Sequence, residues 1–317
     1  VSLHILDAGL SCTVQDPGRR GYRRHGLASG GAADLHAFRW ANKLLDNNPG
    51  AACLEIVMGG FRAVARHHIT VAVTGADASL KVNGRPLAGW STIKLKPDDE
   101  LEIGMSRAGR LIYLALPGGV DGPELFGSQS MVAREQFSDH AGLEAGAEVA
   151  GLSQEPAIPR RAVPDSHRRH YREDVCELDL LPGYQYREFD RYDLLRLTHS
   201  NYRVTQHSDR MGYRLSGPAL EKADWQILSE GMVVGAVQIP GDGQPIVLMP
   251  DCQTIGGYPK PGALSRQDLG RLAQRLPGDS IRFRFTSPED MQRKHLLSEL
   301  FFRHTRWEAN GCDLRWR

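Results

Sequence analysis

Apolar positions along this chain come in short runs, many of them alternating with polar ones, and the runs end at Gly, Pro, Asn or Asp; "HITVAVTG", "STIKLKPDDELEIG", "RLIYLALPGG", "VCELDLLPG", "AVQIPGDGQPIVLM" and "DSIRFRF" are examples. A period of two sends successive side chains to opposite faces of a pleated strand, so the pattern predicts a mainly β chain. In "KVNGRPL", Asn83-Gly84 separates two strand-like segments. Both central residues of a type I′ hairpin need positive φ, which Asn and Gly accept, and a tight hairpin is expected there. A turn followed by an alternating strand recurs at "LKPDDELEI" from Leu95, "LEAGAEVAGL" from Leu143 and "LPGDSIRFRF" from Leu276. Recurrence of one unit in both halves points to two related barrels.

Helical spacing is rarer. "DLHAFRWANKLLDN" sets Leu35, Phe38, Ala41, Leu44 and Leu45 on one face, with Asp34 to cap it and Asn47-Asn48-Pro49-Gly50 to end it. "SRQDLGRLAQRLPGD" predicts a second helix between Ser265 and Pro277-Gly278, and "SPEDMQRKHLLSELFFRHTRWEAN" a third, capped by Ser287 with Pro288 in its first turn. Between the halves, "GLSQEPAIPRRAVPDSHRRHYRED" carries three prolines, a basic run and little apolar content. It reads as an exposed linker, dividing the chain into an N-terminal subdomain over 1–151, a linker over 152–174 and a C-terminal subdomain over 175–317.

At 317 residues the chain is long enough for two subdomains, each with its own core. The 39 Lys and Arg against 38 Asp and Glu leave a net charge of +1, which draws the surface toward neither nucleic acid nor an acidic membrane. Cys12, Cys53, Cys176, Cys252 and Cys312 are widely spaced, without a CxxC pair or zinc spacing, and read as free thiols of a cytoplasmic protein. The opening residues show no leader pattern, and no apolar run approaches the roughly 18 residues of a membrane span.

Three segments hold candidate chemistry. In "TVQDPGRRGYRRHGLASGGAAD", Pro17-Gly18 turns the chain directly after Gln15 and Asp16, with Arg19 following. Two polar acceptors and a guanidinium are then held on one constrained loop; the alternative is a structural turn in which Asp16 bonds nearby backbone amides. Ser29-Gly30-Gly31 supplies backbone N–H groups ahead of a helix, a place suited to a carboxylate or phosphate. "QHSDRMGYRLSG" sets Arg210 and Arg214 around Tyr213, with His207 as a possible base, although such a cluster is also what a solvated strand end looks like. "PGDGQPIVLMPDCQTIGGYPK" combines glycines and prolines with Gln244, Asp251, Gln253 and Tyr258, side chains that orient amides and carboxylates. There is no GxSxG elbow, HExxH, Walker loop or GxGxxG after a strand, so a site that positions a substrate is expected over one built on an activated nucleophile.

Together, "TVQDPGRRGY", "HGLASGGAADLHAFRWANKLLDNNPGAACLEIVMGG", "LPGGVDGPELFGSQS", "SDRMGYRLSGPAL", "SEGMVVGAVQIPGDGQPIVLMPDCQTIGGYPK" and "LAQRLPGDSIRF" resemble the allophanate hydrolase subunit 2 / KipA family, also called carboxyltransferase C-A-B. The resemblance runs collinearly from about residue 3 to about residue 300. It implies two cyclophilin-like β-barrel subdomains and a partner of the KipI-like, allophanate hydrolase subunit 1 type. Two chemistries are implied: ATP-dependent opening of 5-oxoproline to glutamate with a further LamB-type subunit, or carboxyl transfer from carboxybiotin to urea. Both substrates present a planar amide or ureido group.

Carried over by position, the resemblance marks Gln15, Asp16, Arg19, Asp34, Arg210, Tyr213, Gln244, Gln253, Tyr258 and Lys260 as lining candidates, beside Asp251 from the residue reading. Arg210 or Lys260 is expected to hold a carboxylate or developing oxyanion while Gln253 and Tyr258 orient the amide, which makes these four the catalytic candidates. The chain departs from the family pattern in two places. Gly30 stands at a usual serine in "SGGAAD", and Met131-Val132 replaces a usual Thr-Asp pair, which bears on substrate choice if that loop borders the site. The leading expectation is a hydrolase component of a heteromeric 5-oxoprolinase, inactive alone, with no covalently bound cofactor and ATP used by the assembled complex. The alternatives are a carboxyltransferase component served by a separate biotinylated carrier, and a non-catalytic antagonist of a KipI-like kinase inhibitor.

Overall fold

In the computed structural model, which describes residues 1–135, 142–153, 158–221 and 228–309, the alternating runs form strands throughout and the fold is mainly β. The chain divides into two units whose segments interleave. The first comprises Val1–Gly18, Leu35–Tyr171 and the segment from Thr305 onward; the second comprises Arg19–Asp34 and Arg172–His304.

The first unit is built on a sheet of β1 (Ser2–Ala8), β2 (Cys12–Gln15), β3 (Cys53–Val57), β4 (Phe61–Ala65), β5 (Ile69–Val82), β6 (Arg85–Leu87), β7 (Ser91–Leu95), β8 (Glu100–Ala115), β9 (Val120–Asp121), β10 (Glu148–Gly151) and β11 (Arg161–Ala162). A last strand, Glu308–Ala309, pairs with β11. The main path runs β11-β7-β5-β8-β4-β1-β10-β9, with β3 joined to β8 and carrying β2, and with β6 folded back on β5. Asn83 and Gly84 take φ of 48° and 76° and close that β5–β6 hairpin, with Val82 opposite Arg85. Leu3, Ile5, Leu54, Ile56, Phe61, Val71, Ile103 and Leu114 fill the interior with no exposed surface. On this unit α1 (Leu35–Leu44) buries Ala37, Phe38, Trp40, Ala41 and Leu44, and Thr74 donates from β5 to the Ala37 carbonyl at 2.7 Å.

The stretch expected as an exposed linker is, from residue 158 to 171, part of this unit. Ala162 pairs with Ser91 of β7, Val163 is fully buried, and Tyr171 lies so close to Gly109 that a Cβ there would meet its ring at 2.7 Å. Ala162 and Val163 are too short a run to register as a strand. The Arg161 guanidinium, also buried, donates to the Leu44 carbonyl at 2.9 Å, pairs with Asp46 at 2.7 Å and stacks on Trp307 at 3.9 Å.

The second unit is a closed barrel of β12 (Val175–Pro182), β13 (Tyr202–Val204), β14 (Gly212–Ser216), β16 (Ala236–Gln238), β17 (Ile246–Leu248), β19 (Gly262–Leu264) and β20 (Ser280–Phe285), in the order β12-β19-β16-β17-β14-β13-β20. The parallel pair β12–β20 closes it, from Val175 opposite Ser280 to Leu180 opposite Phe285. A separate ribbon joins β15 (Glu230–Gly231) to β18 (Ile255–Gly256). Three helices accompany the barrel: α2 (Arg191–His199), α3 (Arg266–Ala273) and α4 (Pro288–His304). Ser265 accepts from the Asp268 amide at 3.1 Å and Ser287 from that of Asp290 at 3.1 Å, the caps expected from sequence. The helix α2, which the apolar pattern does not announce, is nine residues long, capped by Asp190 and anchored by buried Leu197. None of the helices among the described residues is long and apolar enough to cross a membrane.

The recurring turn-then-strand unit has one geometry at its three positions. Asp98, Gly146 and Gly278 all have positive φ, and each sends its amide 2.8 Å to a carbonyl far along the chain: Ala65, Ile5 and Val204. The following amide then returns to the residue three before it, Lys96, Glu144 or Leu276. In two of the turns an aspartate completes the closure, Asp99 accepting from Lys96 N and Asp279 from Leu276 N.

Candidate functional site

Gln15 and Asp16 lie in the first unit and are committed to structure there. The Gln15 amide, fully buried, donates to Thr13 at 3.1 Å and to the Met131 carbonyl at 2.8 Å. Asp16 accepts from Gly18 N at 2.7 Å, from the Ser128 hydroxyl at 2.7 Å, from Gln129 N at 2.9 Å and from the Ser130 hydroxyl. This is the structural-turn alternative: one carboxylate organises the 128–130 loop as well as its own turn. Met131 and Val132 are buried, Met131 with its Sδ 3.3 Å from Val14 N, so the altered pair fills the interior of this unit.

In the second unit, the 19–34 loop meets the segment that follows β17. Arg210 forms a fork with Asp251, Nε to Oδ2 and Nη2 to Oδ1 at 2.8 Å each, and Nη2 also reaches the Gly31 carbonyl at 2.8 Å. Gly30 N donates to the Pro250 carbonyl at 3.0 Å. The glycine that replaces the family's serine therefore serves through its backbone, at a φ of 61°. Arg23 reaches the same segment: its Nη2 donates to the Met232 carbonyl at 3.0 Å and the Gln253 carbonyl at 2.8 Å. Its backbone is set by the one-turn helix Arg23–His25, which Gly26 ends in the left-handed region at φ 85°. Asp34, fully buried, accepts from Gln274 Nε2 at 3.0 Å, and Arg19 is buried with its amide on the Ser29 carbonyl at 2.7 Å.

A second polar cluster surrounds Lys260. Its ammonium pairs with Glu230, whose other oxygen accepts from the Tyr184 hydroxyl. Gln185 ties the cluster together, accepting from Lys260 N at 2.8 Å and donating to Tyr184 at 2.9 Å. The Lys260 bond, ahead of the Tyr184 bond, holds the Glu230 carboxyl below the usual range, while the Glu230 bond, together with burial, pushes the Tyr184 phenol up to about 12. Both cations expected to hold a carboxylate or oxyanion, Arg210 and Lys260, thus already carry a carboxylate of the chain itself.

The remaining candidates separate by role. Buried Tyr213 of β14 donates to the Ala273 carbonyl at the end of α3 at 2.8 Å, and Gln244 clamps Gly217 through its amide oxygen and nitrogen, at 2.8 and 3.1 Å, so the first ties a helix to the barrel and the second holds the turn after β14. Gln253 is half-buried and Tyr258 is 49% exposed, which leaves both accessible to a ligand. His207 is exposed. Arg23, Glu230, Tyr184 and Gln185 were not singled out from sequence. Arg23 is one of four arginines in "RRGYRR", and spacing alone does not distinguish them.

Cys12, Cys53, Cys176 and Cys252 are buried and form no disulfide; burial pushes the Cys12 thiol up to about 12, with Glu55 adding to it, and burial also raises Cys53 and Cys176, which disfavours the thiolate at these three. Cys312 lies outside the described residues. The segment from Met249 to Lys260 thus carries two ion pairs, Arg210–Asp251 and Lys260–Glu230, together with the accessible side chains of Gln253 and Tyr258.

A family model described as "Carboxyltransferase domain, subdomain A and B" matches residues 25–285. The C-type subunit of the 5-oxoprolinase of Escherichia coli (strain K12) is 33% identical over 314 residues, which are 98% of this chain and 99% of that protein. Its counterpart from Haemophilus influenzae is 31% identical over 302 residues, 94% of this chain and 96% of that protein. Among solved structures, the Kluyveromyces lactis urea carboxylase superposes with a TM-score of 0.86 at 25% identity over 95% of this chain, which spans 29% of that one.

Proposed function

This chain belongs to the family of carboxyltransferase domains with subdomains A and B, and from that premise we propose that it is the C-type subunit of an ATP-dependent 5-oxoprolinase, opening the cyclic amide of 5-oxoproline to glutamate. One observation carries the reading: the similarity to the C-type 5-oxoprolinase subunit of Escherichia coli is continuous over 99% of that protein at 33% identity. Hydrolysis of a lactam needs the amide held in a fixed orientation and the developing oxyanion met by preset donors. In this reading Gln253 and Tyr258 orient the amide, while the Arg210–Asp251 fork and the Lys260–Glu230–Tyr184 cluster hold the segment that carries them. ATP is a substrate of the assembled complex, and the working partners are a KipI-like subunit and a LamB-type subunit.

The test is co-expression of this chain with those two partner types, followed by an assay of glutamate release from 5-oxoproline. Turnover is expected only with ATP and all subunits present. An assembled complex that releases no glutamate overturns the reading. A second reading, carboxyl transfer from carboxybiotin to urea, draws on the family description and on the likeness to urea carboxylase. Urea-dependent consumption of a carboxylated biotin carrier by the same complex would establish it in place of the first.

A further inference from the structure

Three cations bind along the 249–260 segment of the second unit or belong to it: Arg23 on the Gln253 carbonyl, Arg210 on Asp251, and Lys260 on Glu230. Arg210 and Lys260 each have a carboxylate of their own, whereas among the described residues Arg23 has none. The contacts of Arg23 are neutral: the Met232 and Gln253 carbonyls, the Cys252 sulfur at 3.7 Å and the Ser29 hydroxyl at 3.5 Å. The two carbonyls engage Nη2. Among the described residues, the rest of the guanidinium, with its remaining donors, meets only that Ser29 contact at the limit of hydrogen-bond distance. A half-buried cation held by neutral acceptors is incompletely compensated, and a carboxylate entering beside it offsets the cost while using the fork geometry that arginine offers.

We infer that Arg23 is the residue that binds the substrate's carboxylate, and that it makes the site selective for cyclic amides bearing an acid group. The inference rests on the function proposed above and deepens it. In 5-oxoproline the carboxylate sits on the carbon next to the lactam nitrogen, so its cation must neighbour the group that orients the amide. Arg23 is bonded to the main chain of Gln253 itself. Urea has no carboxylate, and a site of this kind discriminates against it.

The experiment compares 5-oxoproline with 2-pyrrolidinone, the same ring without the acid, in equilibrium binding to the assembled complex by saturation-transfer NMR. Steady-state turnover of 5-oxoproline is measured alongside. The variants are Arg23→Gln, which removes the charge while keeping an N–H donor for the two carbonyls, Arg23→Lys, which keeps the charge, and Arg20→Gln on the same loop as a control. The wild-type complex should prefer 5-oxoproline by about tenfold or more. R23Q should abolish that preference and raise KM about tenfold with kcat changed less than about threefold, R23K should recover part of it, and R20Q should match wild type. A preference that survives in R23Q, or is absent from the wild type, overturns the assignment. A wild-type complex that shows the preference yet releases no glutamate leaves Arg23 as the carboxylate ligand and removes the oxoprolinase reading instead.

Discussion

Asp179 shows how a single carboxylate ties an outer helix to the barrel. Its side chain, 8% exposed, accepts from Arg284 at 2.7 and 3.0 Å and from Lys294 of α4. Burial on its own would raise this carboxyl, but the hydrogen bonds from Lys294 and Arg284 outweigh it and hold the group below its ordinary value. A carboxyl depressed in the folded state stabilises above its unfolded value, about pH 3.9, and that contribution is lost as pH falls through the lower folded value. Asp179→Asn should therefore cost about 1–2 kcal/mol at pH 7, and the difference from wild type should shrink below about pH 4. Urea midpoints at pH 7 and pH 3 check it; a difference independent of pH would assign the loss to packing. At this scale, sequence pattern is a poor guide to partners. Arg23 bonds residues 209 and 230 positions away, and Arg161 bonds Leu44 across 117, so neither role leaves a trace in local spacing.

Elements whose chemistry is local were readable from sequence. Asn83-Gly84 and the Ser265 and Ser287 caps are decided within four residues, and each forms as expected. Ser265→Ala removes the acceptor for Asp268 N and a donor to the Asp268 carboxylate, and should lower stability by about 1 kcal/mol in chemical denaturation. Two glycine substitutions separate backbone conformation from crowding. A Cβ at Gly84 meets nothing within 4 Å, so Gly84→Ala carries only the left-handed penalty, about 1 kcal/mol. At Gly262 a Cβ would sit 2.2 Å from the Leu181 carbonyl oxygen across the β12–β19 pair, so Gly262→Ala must spread the barrel wall and should cost about 3 kcal/mol or more. Equal melting temperatures for the two variants would contradict that distinction. The strand β11 and the helix α2 were not legible because each buries a single apolar residue, Ala162 or Leu197, and the elements they pack on are remote in sequence.

At the scale of the whole molecule, the interleaving of the chain has a consequence that a cut between two halves would miss. The barrel unit takes Arg19–Asp34 from the N-terminal part of the chain, and that segment supplies five of the unit's hydrogen-bonding connections: Gly30 N to Pro250 O, Gly31 O from Arg210, Asp34 from Gln274, and Arg23 to Met232 and Gln253. A fragment of residues 172–304 would leave Asp251 with Arg210, yet it would strip Gln274 of its buried carboxylate and the 250–254 segment of its anchor. The sequence resemblance spanned both halves, and neither periodicity nor composition marked residues 19–34 as belonging to the second. The fragment should therefore melt at least about 10 °C below the barrel unit in the whole chain. Fusing residues 19–34 to it through a flexible linker should restore most of the loss, by raising the segment's effective concentration to the millimolar range. Circular dichroism melts of the two fragments and the full chain measure this. A bare 172–304 fragment as stable as the fused one would show that the loop adds nothing to the barrel, and would also remove the structural basis for placing Arg23 in its site.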